Sequence, residues 1–549
     1  MRKIIDLRYK IKKNFNESKY LFLFLILGLI IFTYPMIVSG FDLMPGHMTD
    51  AKFINYILEH SFQWLMGAQN NHPFWTAPFY YPRENTLAYS DALIGIMPVY
   101  CAFRFIWSPL SAFQVTFIFM CVLNYTTFYY LLKKQLNFSD IASSLGAFLF
   151  AFSLMRFYRT IHIQYFPQFF EILTLIFLMK VNNKNSILKN NIYFLSAIFF
   201  LSLQFYTCVS LGYYFIVIGI LFIAVSLCFN TTRKMVISYF KNFWKYIVPY
   251  LIAFIISLVP LFLKYFDLDE VRTLEEVDLY LQNIGAWIRN VSVLDSLFFK
   301  QIEYIDFVHS TEITASVGIF TSLIALFGIY KYKNFRYVFF ILLTVIIFMS
   351  CKVGDIYIWQ YLYYIMPGAK GIRAIIRISF IALIILSLGM ANCMQYLKDN
   401  FKGKFKKNLL YLVMLVVIIE TIPYTSDPHS AWRTYCWSKS AFNQQLNEAI
   451  KELSKEDKVI YFKTDFSNIR EEELYTDIYR LEQVSLLTFS NNLRAMWVAM
   501  ITNRYSLNGY SGVIRDPLRF YKFYKVKMIK YNYNIKNFTI SDYFLRNKQ

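Results

Sequence analysis

Residues 20–39, YLFLFLILGLIIFTYPMIVS, carry no charged side chain and are long enough to cross a bilayer as one helix. Comparable apolar runs recur near 113–132, 141–155, 165–179, 192–207, 209–229, 246–263, 314–330, 337–350, 376–396 and 408–423. This many apolar runs leave one class of fold open, a polytopic α-helical membrane protein with about eleven transmembrane helices. The runs are continuous rather than alternating, which excludes a β-barrel. Composition agrees: 57% of the 549 residues are hydrophobic and 20% aromatic. The first run follows a basic leader, MRKIIDLRYKIKKNF, and has no small-residue cleavage site, so it reads as a retained span. The cysteines are scattered, mostly within spans, and only Cys436 lies well inside a soluble segment. That pattern supports neither a disulfide framework nor a metal-binding spacing.

The net charge of +21 does not point to nucleic acid. The positive residues fall mainly between spans and in the tail, where they meet anionic membrane lipid. With the N-terminus inside, the predicted inner loops carry Lys133 and Lys134; Lys180, Lys184 and Lys189; Arg233, Lys234, Lys241 and Lys245; Lys331, Lys333 and Arg336; and Lys398, Lys402, Lys404, Lys406 and Lys407. Those loops and the leader hold few acids: Asp6, Glu17, Asp140 and Asp399. Residues 92–108 are apolar but short, and counting them as a crossing would invert every later loop. They read as a re-entrant or interfacial helix. The expected organisation is a transmembrane domain over 1–424, with a first outer loop at 40–91, and a small α/β extracytoplasmic domain over 425–549. In that last domain SAFNQQLNEAIKELSKE has helical periodicity and KVIYFKTD reads as a strand. The expected location is a bacterial inner (cell) membrane, crossed many times.

The polar loop 40–91 gathers Asp42, Asp50, Asp91, Glu59 and Glu84 with His47, His60 and His72. A carboxylate at a water–membrane boundary is partly desolvated, which raises its pKa and its basicity toward a hydroxyl acceptor. Asp50 also stands at a predicted helix start, where a carboxylate commonly caps. Asp42, His47 and Asp50 could instead hold a divalent cation, Mg or Mn, although their spacing fits no dedicated motif. A second cluster, RFYRTIHIQYFPQ, places Arg156, Arg159, His162 and Gln164 at the outer end of two spans. Arginine forks there suit a phosphate, and snorkelling to headgroups is the plainer alternative. A third, PGAKGIRAIIR, sets Lys370, Arg373 and Arg377 at the mouth of a span, with the two arginines one helical turn apart. Glu312 heads a span, as a helix dipole favours. Acids at membrane depth, Glu171 and Glu420, are functional suspects by default.

An early aspartate after the first span, many further spans and an outer C-terminal domain together resemble the GT-C-fold glycosyltransferases. That superfamily includes protein mannosyltransferases, aminoarabinose transferases and oligosaccharyltransferases. The chain is most similar to its bacterial YfhO-type or dolichyl-phosphate-mannose-transferase-like branch. The matching pieces are Asp50 with Leu58, Glu59 and His60; FYYPRENTLAYSD; Arg159 with His162 and Gln164; Glu312; PGAKGIRAIIR; and NGYSG at 508–512. The resemblance implies transfer of a sugar from a polyprenyl-phosphate donor to a glycan, lipid or protein acceptor on the outer face. It implies that an acid of the first outer loop is base or metal ligand, a role that falls to Asp50, with Asp42 second. Where related chains place an aspartate after glycine, this one has Gly46 and His47, so a second carboxylate would have to come from Asp42 or Asp91. The alternative is a non-catalytic transporter (flippase) of lipid-linked glycan, or an envelope assembly protein. A transporter should show polar groups deep in its spans and repeated halves.

Overall fold

The apolar runs are helical over most of their lengths. The structure, a computed structural model, describes residues 2–532 apart from 69–72, 267–271, 289–291, 299–314, 355, 424–436, 466–477 and 511–525. Among the described residues, 8 helices are long and apolar enough to cross a membrane: Lys19–Val38, Pro109–Gln135, Asp140–Tyr158, Thr160–Lys180, Ile187–Thr207, Val209–Leu227, Asn230–Phe266 and Ile375–Asn400. Ile319–Lys331 and Arg336–Ser350 are apolar but shorter. Gly403–Glu420 has the length but carries Lys404, Lys406 and Lys407 in its first turns.

Two expectations about helix boundaries are corrected. The run at 246–263 is the apolar part of a single 37-residue helix, Asn230–Phe266, so Arg233, Lys234, Lys241 and Lys245 lie on helix rather than loop. Lysine and arginine are good helix formers, and nothing in 230–245 breaks the pattern. The run at 314–330 becomes helical only at Ile319, because Gly318 at φ 101 turns the chain first.

Asp140–Tyr158 and Ile375–Asn400 are 94% and 83% buried over their apolar windows, against 17% for Asn230–Phe266. The first two therefore form the centre of the bundle and the third its periphery. At one end of the bundle, Ser139 N donates to Gln395 Oε1 (2.9 Å) and Lys331 Nζ sits 4.9 Å above the Tyr396 ring. At the other end lie the first loop, residues 159–165 and Ile375–Ile378.

The first loop is a folded layer. Its helix Asp50–Leu65 is buried continuously from Ala51 to Ser61. The helix Met97–Arg104 has 8 residues. At 1.5 Å per residue it is only about 12 Å long, too short to cross. Phe105 and Ile106 after it are 68% and 71% exposed, which suits a lipid interface.

The C-terminal module builds a three-stranded parallel sheet in the order Tyr505–Ser506, Val459–Asp465, Val526–Asn532, with Val459 opposite both Tyr505 and Val526. Helices Lys439–Lys451 and Ile478–Ile501 cover it, burying Phe442, Leu446, Leu493 and Trp497 against Ile460 and Phe462. The strand Val526–Asn532 went unread in the sequence because VKMIKYN alternates too weakly to stand out from a basic tail.

The module is fastened to the first loop at two places. Lys439 N donates to Asp42 O (2.8 Å), Ser440 N to Asp42 Oδ1 (2.9 Å) and Met44 N to Trp437 O (3.1 Å). On the far side, Tyr81 N donates to Ser506 O (3.0 Å), Ser506 N to Pro78 O (3.0 Å) and Tyr80 N to Asn508 O (3.2 Å). Tyr56 packs edge-on against Trp497 at 6.0 Å, so one hydrophobic core runs from the bundle through the loop into the module.

Candidate functional site

Three separated stretches meet at Asp50. It is the first residue of its helix and Thr49 is the capping position, so the carboxylate lies where the helix dipole favours negative charge. Gly46 lets the preceding loop approach, at φ +86. A Cβ there would lie 2.4 Å from both the Ala51 Cβ and the Thr160 carbonyl. That contact brings the start of the Asp50 helix against residues 160–165. These form a short 3-10 run broken at His162 (φ −113, ψ 69) between two spans.

His162 Nδ1 lies 3.1 Å from Asp50 Oδ2. Its other nitrogen, Nε2, is 3.0 Å from Arg377 Nη2. A guanidinium can only donate, so Nε2 must accept and the ring is neutral with its proton on Nδ1, directed at Asp50. Arg377 Nη1 donates to the Tyr165 hydroxyl (2.8 Å), which also shares a hydrogen bond with Ser210 Oγ (2.8 Å). The Tyr510 hydroxyl, from the C-terminal module, donates to Asp50 Oδ1. Asp50 keeps 28% of its side chain exposed while His162 keeps 7%.

The upward pKa shift expected of Asp50 is reversed. Burial does oppose its charge, but the His162 contact, then the Tyr510 bond and the nearby His47, outweigh it and hold the carboxyl well below its usual range. Asp50 is an ionised, hydrogen-bonded carboxylate rather than a desolvated one.

The other candidates divide. Arg159 is buried (1% exposed) beside Arg377 and Tyr165, so two guanidiniums face the Asp50 region. Arg373 lies near Tyr510, 3.2 Å from Glu276 Oε1 and over the Tyr280 ring at 4.7 Å. Arg272 reaches the same Glu276 oxygen at 3.0 Å. Lys370 is exposed at this mouth, and its carbonyl accepts from Arg272 N (3.1 Å). His47 Nδ1 is 2.8 Å from Thr49 Oγ1, on the edge of the site. Gln164 is buried nearby, and its side-chain oxygen has no partner among the described residues.

Asp42, Glu59 and Arg156 are placed elsewhere, and Asp91 lies within reach of the Arg377 charge. Asp42 is spent on the C-terminal module: burial raises its pKa, but hydrogen bonds from Ser438 and Ser440 and the charge of Lys439 bring it below the ordinary value. Glu59 is fully buried and fastens the first loop to the short helix. It takes Arg104 Nε at 2.8 Å and Nη2 at 3.2 Å, and the Tyr100 hydroxyl at 2.7 Å. Asp91 accepts from Val209 N (3.1 Å), at the start of the Val209–Leu227 helix, and burial raises its pKa. Arg156 is buried away from the surface, donating to Phe150 O (2.8 Å) and to Gln168 Oε1. Gln168 in turn donates to Glu171 Oε2 (2.9 Å). The phosphate role expected of Arg156 has no access route here, because Phe150, Phe166 and Phe380 cover its guanidinium. Glu312 and His72 lie outside the described residues.

Asp42, His47 and Asp50 are not gathered into one cluster among the described residues. Asp42 is directed at Ser440, both oxygens of Asp50 accept from protein donors, and no group of three acidic, histidine or cysteine side chains gathers among the described residues. Tyr165, Tyr510, Glu276 and Arg272 were not singled out in the sequence. NGYSG did mark the position of Tyr510, as a matching piece without a role.

Fold and site together define a multi-pass helical membrane protein with a polar, ionised cluster at one end of its bundle. No family model matches the chain, and no curated protein matches it in sequence. Among solved structures it is similar to the crystal structure of ArnT from Cupriavidus metallidurans in the apo state. The identity is 10%, the match covers 84% of each chain, and the TM-score is 0.45.

Proposed function

We propose that the chain is a GT-C-type membrane glycosyltransferase, moving a sugar from a polyprenyl-phosphate donor to an envelope glycan, lipid or protein on the extracytoplasmic face. The observation that carries this reading is Asp50: ionised, partly open, and set among Arg159, Arg377 and Arg373 at the membrane boundary. In the reaction Asp50 takes the proton of an acceptor hydroxyl. The oxygen attacks the anomeric carbon, the bond from that carbon to the phosphate oxygen breaks, and its electron pair leaves with the lipid phosphate. Attack opposite the leaving group inverts the centre. Arg377, Arg373 and Arg159 supply positive charge where negative charge grows. His162 holds Asp50 in one orientation, and Arg377 fixes the His162 tautomer. The lysine and arginine bias of the alternate loops supports placing this end outside.

The test uses membranes containing the wild type or Asp50→Asn, supplied with radiolabelled polyprenyl-phosphate sugars. Label is followed into lipid, glycan and protein fractions. Transfer by the wild type, reduced about 100-fold or more in the variant at equal expression, is the expected result. Equal transfer by both would overturn the role of Asp50.

A further inference from the structure

The Asp50 carboxylate has two oxygens, and they are held from two different parts of the chain. His162 holds Oδ2. The donor on Oδ1 comes from residue 510, across almost the whole chain. We propose that the C-terminal module completes the active site, with Tyr510 as a positioning residue that holds the Asp50 carboxylate ionised and in plane through its hydroxyl. The proposal rests on the reading of Asp50 as the base.

Delivery of Tyr510 is built into the packing. Asn508 is buried (1% exposed) and grips the central strand of the module. Its Oδ1 accepts from Phe462 N (2.7 Å), and its Nδ2 donates to Phe462 O (2.9 Å) and Asn492 Oδ1 (2.8 Å). On the other side, the Asn508 carbonyl accepts from Tyr80 N of the first loop (3.2 Å). Gly509 lies against the Tyr80 ring so closely that a Cβ would come within 2.4 Å of it. The turn is thus clamped between the module and the loop. The Tyr510 ring then packs edge-on against Phe53 (5.5 Å) and Phe489 (5.4 Å), one from each layer. This clamp aims the hydroxyl with little freedom left, as positioning requires.

The electrostatics agree. Burial, followed by the Asp50 charge, pushes the Tyr510 phenol well above its ordinary pKa, so it remains a donor throughout the working range. The groups facing Asp50 are Tyr510 from the module, His162 and Arg377 from the spans, and His47 from its own loop, with Arg373 beside Tyr510. Of these, only Tyr510 is contributed by the module. Each carboxylate oxygen accepts more than one hydrogen bond, so Oδ1 can receive the acceptor hydroxyl while Tyr510 stays in place.

The experiment reads Asp50 directly. Infrared difference spectra of the full-length protein in detergent are recorded against pH for the wild type, Tyr510→Phe and the Asp50→Asn control. The carboxyl band lost in Asp50→Asn reports the protonation of Asp50. Removing a hydrogen bond to a charged group is expected to raise the Asp50 midpoint by about one pH unit in Tyr510→Phe. An unchanged midpoint overturns the proposal. Because Tyr510→Phe could fail to fold, 3-fluorotyrosine is also placed at 510. Its more acidic phenol donates more strongly and should move the midpoint downward, opposite to phenylalanine. A shift in the same direction as phenylalanine, or none, overturns the proposal. This readout needs no substrate. It therefore still decides the role of Tyr510 if no sugar transfer is found, and it separates failure of this inference from failure of the glycosyltransferase reading.

Discussion

Arg156 and His162 belong to the same short stretch, RFYRTIHIQYFPQ, yet they serve opposite ends. Arg156 lies in a closed network. Gln168 bridges it to Glu171, aromatic rings cover it, and both charged side chains are fully buried. His162 lies in an open one, linking Arg377 to an Asp50 that retains 28% exposure. Both clusters contain an arginine, an amide or imidazole bridge and a carboxylate. They differ in access, not in residue types. In a membrane protein a sealed polar network holds helices together, whereas an open one can meet a substrate. The Arg156 cluster also places an arginine and a glutamate side chain within the spans. It offers no path and therefore does not favour a transporter.

The strongest way to break this comparison is to remove the arginine from each network in turn. Arg377→Met is expected to lower sugar transfer about 100- to 1,000-fold, as loss of a transition-state donor does, with thermal stability close to the wild type. Arg156→Met is expected to cost about 1–3 kcal/mol of stability, because it removes the donor that Phe150 O and Gln168 Oε1 accept from inside the bundle. Whatever Arg156→Met protein folds should retain the wild-type rate per molecule. Melting curves in detergent and single-turnover transfer on the same preparations separate the two. If Arg377→Met lost stability and Arg156→Met lost only activity, the two assignments would have to be exchanged.

A smaller effect concerns pH. Asp50 is held below the usual carboxylate range, so its base form is present wherever pH exceeds that lowered value and is lost only as pH falls through it. Transfer should therefore show no acid limb between about pH 5 and 8. A base raised by desolvation alone would place a limb inside that window. The same shift has a stability consequence of defined sign. The contacts of Asp50 contribute stability that is complete above the ordinary carboxylate value, about 4, and declines as pH falls through the lowered one.

How much of this could be read from the chain depends on the distance over which each contact acts. The run at 209–229 became Val209–Leu227, and the run at 376–396 lies within the span Ile375–Asn400, because twenty apolar residues determine a helix locally. Asp50 was legible as a carboxylate at a helix start on a membrane-bounded loop. Its state was not, because the donors that reverse its pKa arrive from residues 162 and 510. Glu59 had the same local appearance as Asp50. Only its pairing with Arg104 and Tyr100, set by how the short helix packs, shows it to be a fastening. Residue type marked the candidates, and long-range packing sorted them.

The smallest effect sharpens the open network at its rim. Glu276 offers one oxygen to both Arg272 (3.0 Å) and Arg373 (3.2 Å), and all three side chains are only partly buried. In the glycosyltransferase reading, a donor phosphate and this carboxylate seek the same guanidinium fork. Breaking a half-exposed pair of this kind releases about 0.5–1 kcal/mol after solvent screening. Glu276→Gln should then lower KM for the polyprenyl-phosphate donor about two- to fivefold at unchanged kcat. A raised KM would give Glu276 the opposite role, holding Arg373 in the orientation the phosphate needs. Arg156 supplies the control: its amide partner Gln168 cannot be displaced by any ligand, so Gln168→Glu should leave the donor KM where it is and register only in stability.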